Sequence, residues 1–160
     1  MGKINDVSFF KPFVLGAIQT LKVQCSTEVK GLKPFYKGEK EQPPFDIASI
    51  ISLQSNAFVG TITLCYPANV FLHIMSKMLG EEFTEITEDL EDGASELLNI
   101  IFGQAKRVLT NEGYVIEKAI PTIIRGKDLR TRSQTKEKPI VLPFDAEVGE
   151  LHIEIAAETV

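Results

Sequence analysis

The stretch from Ile47 to Ser76 contains no Asp, Glu, Lys or Arg, although charged residues make up 24% of the chain. It exceeds the roughly 20 residues that a membrane-spanning helix needs, but several polar residues interrupt it and Pro67 divides it. In the segment Thr61–Tyr66, the alternate residues Ile62, Leu64 and Tyr66 would lie on one face of a strand, with Thr61 and Thr63 on the other. This is the pattern of a half-buried strand. The stretch therefore predicts a buried hairpin of Ile47–Leu53 and Phe58–Tyr66, with no membrane insertion.

The size and charge of the chain limit the number of domains it can form and the kinds of partner it can bind. Its 160 residues suit one domain, residues 1–160, and 44% of them are hydrophobic, which is enough for a core. There are 17 basic and 22 acidic residues, so the net charge is −5. Nucleic acid is disfavoured as a partner, because binding phosphates requires a basic face.

Side chains that bind metals are few and scattered. The chain has two histidines and two cysteines, His73, His152, Cys25 and Cys65, and none of them forms a ligand motif. All four fit core or surface positions better than a metal site. We therefore expect no metal of the protein's own and, because lone cysteines suit a reducing compartment, a cytoplasmic protein.

The first half of the chain also predicts helices around the hairpin. A helix is expected from Pro12 to Leu21, followed by a strand from Val23 to Val29. The segment Gly31–Pro44, rich in proline and charge, is expected to be an exposed loop. A second helix should span Pro67–Leu79 and end at Gly80, a good C-terminal cap.

A third and longer helix should follow Thr87, a possible N-terminal cap, and stop at Gly113. Beyond it, Val115–Ile124 predicts an edge strand that Pro121 interrupts. The basic segment Arg125–Lys138 fits a solvated loop better than a contact for phosphate or an acidic partner.

The chain should end in a second hairpin, formed by Pro139–Phe144 and Gly149–Ala156. The whole order is helix, strand, hairpin, two helices and strands. Because the helices are separated from a mostly antiparallel sheet, this order predicts an α+β fold.

The long helix has one apolar side and one narrow polar side. With about 3.6 residues per turn, the buried side is predicted to contain Leu90, Ala94, Leu97, Ile101, Ala105 and Val108. The opposite side carries Asp92, Glu96, Asn99, Gly103 and Lys106. Glu96 and Asn99 are three residues apart, so their side chains lie next to each other.

Two glycines, Gly93 and Gly103, are unexpected inside this helix, since each costs about 1 kcal/mol relative to alanine. Gly103 should leave a dent one turn beyond Asn99. A polar pair such as Glu96 and Asn99 is usually ordinary surface. The alternative is a carboxylate and a carboxamide presented on a rigid helix for insertion into a partner.

The segment Asp92-Gly-Ala-Ser-Glu96-Leu-Leu-Asn99-Ile-Ile-Phe-Gly103-Gln-Ala-Lys106 favours that alternative. It resembles the signature helix of the CheC/CheX family of chemotaxis phosphatases, in which an acid precedes Glu-x-x-Asn and Gly-x-x-Lys follows. Phe10–Phe13, Gly60–Leu64, Met78–Glu81 and Pro121–Gly126 are also similar to parts of the family. Lys11, where the family more often has asparagine, departs from the pattern.

The resemblance implies a CheC-like domain: a mostly antiparallel sheet with long helices on one face, built as a pseudo-repeat of helix plus strands. It also implies an activity, hydrolysis of the phospho-aspartate of a CheY-type response-regulator receiver. Asn99 would orient the attacking water, and Glu96 would pair with the receiver's lysine. Asp92, Gly103 and Lys106 would help to dock the receiver, which would bring its own Mg²⁺.

The first predicted helix, Pro12–Leu21, contains no Glu-x-x-Asn. A single signature helix makes the chain similar to CheX rather than CheC, and this resemblance implies a homodimer. The rival hypothesis is a non-catalytic CheC-like module that binds a receiver or a component of the flagellar switch. The retained Glu96 and Asn99 argue against it.

Overall fold

The computed structural model describes residues 7–118, 120–132 and 136–159, which form three helices and eight strands. The helices are α1 (Val7–Cys25), α2 (Ala68–Leu79) and α3 (Glu88–Asn111). The first four strands are β1 (Lys30–Gly31), β2 (Phe35–Tyr36), β3 (Phe45–Ser55) and β4 (Phe58–Tyr66). The last four are β5 (Ile116–Lys118), β6 (Thr122–Leu129), β7 (Ile140–Asp145) and β8 (Glu150–Thr159).

The charge-free stretch forms the predicted hairpin. Strands β3 and β4 pair in antiparallel register from Ile47 opposite Tyr66 to Gln54 opposite Val59. In the turn that joins the two strands, the hydroxyl of Ser55 accepts hydrogen bonds from the backbone amides of Ala57 and Phe58, at 3.0 and 2.9 Å. Within the described residues, no helix is long and apolar enough to span a membrane.

The sheet combines two similar halves, as the predicted pseudo-repeat requires. Each half contributes one long helix, α1 or α3, followed by four strands. The hairpins β3–β4 and β7–β8 meet along β4 and β8, in the order β1-β7-β8-β4-β3-β5. Four strands pair with the hairpin of the other half: β1 and β2 pair with β7, while β5 and β6 pair with β3. All these pairings are antiparallel, so each half completes the sheet of the other.

The helices cover one face of this sheet, and the α+β prediction is confirmed. The hydroxyl of Ser49 on β3 donates to the carbonyl of Ala94 on α3 at 3.2 Å, which brings the two elements together. The core under the helices includes Phe9, Phe13, Leu21, Ile51, Ile62, Leu64, Phe71, Leu97, Ile101, Ile153 and Ile155.

The opposite face carries a buried polar cluster. Lys37, from the segment between β2 and β3, forms an ion pair with Glu154 on β8. The amide of Gln42 lies 3.0 Å from Nδ1 of His152, also on β8. Burial lowers the pKa of His152, against the opposing effect of the neighbouring Glu150 carboxylate. These contacts hold residues 37–42 against the face of the sheet opposite the helices.

Two predictions about the first helix are wrong. The helix begins at Val7, not near Pro12, and it continues to Cys25, so the strand predicted for Val23–Val29 does not form. Its early turn is held by Phe9, whose ring contacts Phe58 at 4.9 Å between centroids. The stabilisation from this packing exceeds the cost of the backbone hydrogen bond that is lost at Pro12, which has no N–H to donate.

Two predicted loops contain strands. Gly31–Pro44 includes β2 and the end of β1, and Arg125–Lys138 begins with the second half of β6. Arg125 is paired opposite Ile47 of β3, although its side chain is exposed. The predicted edge strand Val115–Ile124 is divided into β5 and the start of β6, which lie on either side of Pro121. Residues 133–135 of the predicted basic loop lie outside the described residues.

Candidate active site on the exposed face of α3

Helix α3 is anchored at both ends. It follows Thr87 and has Glu88, Asp89 and Glu91 in its first turn, where carboxylates favour the helix dipole. The hydroxyl of Thr87 forms no capping hydrogen bond. Instead, the guanidinium of Arg125 donates to the carbonyl of Ile86 at 2.8 Å and lies 3.3 Å from the Glu91 carboxylate.

At the other end, the helix stops as predicted before Gly113, whose φ of 98° is unfavourable for residues with a side chain. Tyr114 is then buried in the core. No pattern in the sequence indicates the contacts of Arg125 with α3, because Arg125 lies in the predicted basic loop. With both ends fixed, α3 is a rigid support for the side chains that it carries.

The apolar side of α3 agrees with its periodicity except at one position. Leu90, Ala94, Leu97, Ile101 and Ala105 are fully buried, as predicted. Val108 is not, since 44% of it is exposed and Leu109 is buried in its place.

The polar side of α3 faces solvent. Asp92, Glu96, Gly103 and Lys106 are exposed, and Asn99 between them is half-buried. We call these five residues the α3 stripe. From Asp92 to Lys106 there are 14 helical steps, or about 21 Å at the rise of 1.5 Å per residue. The structure therefore brings together on one surface all five residues that the sequence singled out.

Asn99 differs from its neighbours in the stripe. Its carboxamide oxygen Oδ1 is buried and accepts no hydrogen bond from any residue that the structure describes. Such an unpaired acceptor costs about 1–3 kcal/mol. The other two such atoms found among the described residues, the hydroxyls of Thr20 and Tyr66, lie inside the core. Asn99 thus leaves an unsatisfied group directly beside the exposed surface.

The two glycines of α3 have different surroundings. A Cβ added to Gly93 would lie 2.5 Å from Sδ of Met75, so the buried Met75 side chain of α2 would have to move to admit it. A Cβ added to Gly103 would meet no described atom within 4 Å. Its backbone is ordinary helix, so a side chain would fit and would favour the helix. Nothing in the described chain requires glycine at position 103.

Helix α1 occupies the corresponding place in the other half but carries different groups. It packs antiparallel to α3. The ring centroids of Phe9 and Tyr114 lie 5.6 Å apart, and Gly16 lies against Ile101. Its outward residues are Lys11, Leu15, Gln19 and Lys22, with no carboxylate or asparagine among them. The candidate site therefore belongs to α3 alone.

The histidines and cysteines do not gather at one place. Cys65 and His152 lie opposite each other on β4 and β8, whereas Cys25 is buried on α1 and His73 is half-buried on α2. Across the described ranges, no three or more His, Cys, Asp and Glu side chains are grouped so that they could hold a metal ion. Burial raises the pKa of the Cys25 thiol to about 12, which keeps it protonated.

Three helices over an antiparallel sheet are the fold of the CheC-like class, and in this chain α3 carries a carboxylate and a carboxamide on its outward side. A crystal structure of a CheC-like superfamily protein from Shewanella sp. PV-4 is similar, with a TM-score of 0.89 and 30% sequence identity. The match covers 96% of this chain and 99% of that one.

The structure of the chemotaxis protein CheX from Vibrio vulnificus also matches, with a TM-score of 0.86 and 29% identity over 92% of this chain and 97% of that one. The CheX of a CheX–CheY–BeF3–Mg²⁺ complex from Borrelia burgdorferi shares the fold, with a TM-score of 0.80 and 22% identity over 96% and 99% of the two chains. No match was found among curated protein sequences.

The sequence model of the family described as chemotaxis phosphatase CheX matches residues 47–145, which is more than half of the chain. The chain therefore belongs to the CheX family of chemotaxis phosphatases.

Proposed function

We propose that this chain stimulates hydrolysis of the phospho-aspartate on a CheY-type response-regulator receiver, with the α3 stripe laid against the receiver's active site. The observation that carries the proposal is the stripe itself: Glu96 and Asn99 stand together on a rigid helix, beside an open glycine at position 103. In the Borrelia burgdorferi complex, a CheX protein is bound to a CheY with BeF3 and Mg²⁺.

Asn99 is proposed to orient the attacking water. Phosphoryl transfer depends mainly on positioning and on electrostatic stabilisation, and a carboxamide can hold a water molecule in line with the phosphorus. Oδ1 of Asn99 is buried without a described partner, so no hydrogen bond to a described residue holds the carboxamide oxygen in that position. On docking, rotation of the carboxamide would present Oδ1 to the water.

Glu96 is proposed to pair with the receiver's lysine and so to fix the register of docking. Its carboxylate is exposed and forms none of the salt bridges found among the described residues, so it is free to pair with a cation. Asp92 and Lys106 would add polar contacts at the two ends of the stripe. The missing side chain of Gly103 would let the receiver's backbone approach the helix closely.

The Mg²⁺ belongs to the receiver in this proposal. The ion and the receiver's lysine would neutralise the charge on the phosphoryl group, while this chain would supply the carboxamide and the shape of the surface. The protein would then need no cofactor of its own. The family resemblance also leads us to propose a homodimer, which sedimentation equilibrium would test, and a cytoplasmic location, which cell fractionation would test.

The test is the decay of phosphorylated CheY-type receivers from the same genome, labelled with acetyl phosphate and mixed with the purified chain. We expect faster decay for at least one receiver. Asn99→Ala should reduce the stimulation about 100-fold or more, in line with the loss of one positioned catalytic group.

Gln24→Ala is the matched control, because Gln24 is an exposed amide on α1 away from the stripe. It should leave the decay unchanged. If the receivers bind without faster decay, or if Asn99→Ala retains full stimulation, the proposed catalysis is wrong. Binding without decay would instead identify a non-catalytic module.

A further inference from the structure

A short segment crosses the face of the sheet that the helices do not cover. At one end, the ammonium of Lys37 forms an ion pair with Glu154 on β8. At the other end, the side-chain amide of Gln42 contacts His152, also on β8. Residues 38–41 between these ends are exposed. We call residues 37–42 the strap, and its contact at Gln42 is made with a ring that titrates near neutral pH.

The hydrogen-bond partners of His152 define its protonation state. Its Nε2 lies 3.1 Å from Oε1 of Glu150, and an ionised carboxylate can only accept, so Nε2 carries a proton. Its Nδ1 lies 3.0 Å from Nε2 of Gln42, an amide nitrogen that can only donate, so Nδ1 carries none. The ring therefore satisfies both partners only when it is neutral.

The amide of Gln42 is held in this orientation by a second acceptor. Its Nε2 also lies 3.4 Å from Oε2 of Glu154, whose carboxylate is paired with Lys37. Turning the amide over would place its oxygen against that carboxylate. A proton on Nδ1 of His152 would thus meet the N–H of Gln42, and rotation of the amide would replace this conflict with a repulsion at Glu154.

The ring of His152 is also shielded from water. It is 1% exposed, and the rings of Phe35 and Phe45 lie against it, at 6.3 and 5.3 Å between centroids. The guanidinium of Arg130 donates to the backbone carbonyl of Gln42 at 3.1 Å, which engages that carbonyl and adds a cation on this side. Solvent therefore reaches Nδ1 only after the strap has moved.

The charged groups around His152 act in opposite directions. Burial is the largest influence and, together with the Lys37 ammonium, it lowers the pKa of His152, whereas the Glu150 and Glu154 carboxylates raise it. Cys65, opposite His152 on β4, adds no charge, because burial raises the pKa of its thiol. The net effect agrees with the hydrogen bonds, since both favour the neutral ring.

We propose that the strap is a proton-sensitive closure, which stays on the sheet while His152 is neutral and is released at Gln42 when Nδ1 gains a proton from solvent. A free histidine has a pKa of about 6.5. Because the pKa of His152 is lowered in the closed form, the stability of this form is complete above about pH 6.5 and is lost as the pH falls below it. The strap lies on the face away from α3, so this inference does not rest on the proposed function.

NMR of the isotopically labelled chain tests the proposal. Long-range 1H–15N spectra report the tautomer of each histidine, and we expect the Nε2–H tautomer for His152 at about pH 7.5. Backbone 15N relaxation reports the order of residues 39–42. Their order parameters should fall to below about 0.6, the range of flexible segments, as His152 becomes protonated between about pH 6.5 and pH 5.

His152→Gln removes the titration, since glutamine offers an oxygen to Gln42 and an N–H to Glu150 at every pH. Its strap should stay ordered down to about pH 5. His73→Gln is the matched control, because His73 is half-buried on α2, away from the strap, and this variant should respond to pH as the wild type does.

Three results would overturn the proposal. They are an Nδ1–H tautomer of His152 at neutral pH, a strap that stays ordered while His152 titrates, and a loss of order on acidification that persists in His152→Gln. Circular dichroism will verify that the variants fold. If His152→Gln does not fold, the tautomer and the titration of the wild-type chain decide the question by themselves.

Discussion

The inward and outward sides of α3 each contain one glycine, and the two glycines have different reasons to be there. Gly93 faces α2, where Sδ of Met75 would lie 2.5 Å from an added Cβ and would have to move. Gly103 faces solvent, and no described atom lies within 4 Å of the place its Cβ would occupy. The first is explained by packing inside the protein. The second has no such explanation, which points to a partner outside it.

The outward side also carries the unpaired oxygen of Asn99, one turn from Gly103. The glycine lowers the stability of the helix by about 1 kcal/mol relative to alanine. Proteins tend to break local rules where function requires it. The proposed docking of a receiver would account for the glycine of the stripe, whereas packing within the fold accounts for the glycine of the inward side.

Among substitutions of the two glycines, the largest effect is expected from adding bulk at Gly103. Gly103→Leu should reduce receiver decay more than tenfold, because the side chain would hold the receiver away from Asn99. The fold should be retained, since leucine favours an exposed helix. The measurement is stimulated decay, with Gln24→Leu on α1 as the control for added apolar surface. Full activity in Gly103→Leu would remove Gly103 from the docking surface.

The inward glycine should affect stability instead. Gly93→Ala is expected to lower the free energy of unfolding by about 1 kcal/mol, because the cost of overpacking against Met75 exceeds the gain in helix propensity. Urea denaturation measures this change. In a Met75→Ala background, the same substitution should become neutral or stabilising. An equal loss in both backgrounds would show that the contact with Met75 is not the cause.

The smallest effect is expected for a methyl group on the outward side. Gly103→Ala should raise the free energy of unfolding by about 0.5–1 kcal/mol, since the added methyl meets open space and favours the helix. Receiver decay should fall by only a few-fold. Thermal denaturation and the decay assay on one preparation give both values. A loss of stability would contradict the open surroundings of Gly103.

Local patterns predicted the hairpin and α3 well. The alternating pattern in the charge-free stretch predicted β3 and β4, and Thr87 and Gly113 predicted the two ends of α3. The prediction failed where distant contacts decide the structure. β6 pairs with β3 although its side chains are mostly exposed, so it has no alternating pattern. The predicted strand at Val23–Val29 failed because Leu21 and Cys25 continue the buried side of α1.

Helical periodicity was sufficient to place the stripe on one side of α3. It could not predict that Oδ1 of Asn99 is buried without a partner, or that Met75 closes the space at Gly93. Both depend on packing in three dimensions. Val108 was assigned to the buried side because the spacing alone does not show where α1 diverges from α3 and leaves a groove.

The central claim is that Asn99 acts in the chemical step and Glu96 in docking. The most direct measurement is the rate of receiver decay over a range of phosphorylated receiver concentrations, for Asn99→Ala and Glu96→Gln side by side. For Asn99→Ala, we predict a saturating rate lower by about 100-fold, with half-saturation within twofold of wild type.

For Glu96→Gln, we predict a half-saturating concentration about tenfold higher, because a charge-assisted contact is lost, with a saturating rate within threefold of wild type. If both variants lower only the saturating rate, or both raise only the half-saturating concentration, the division of roles between Asn99 and Glu96 is wrong.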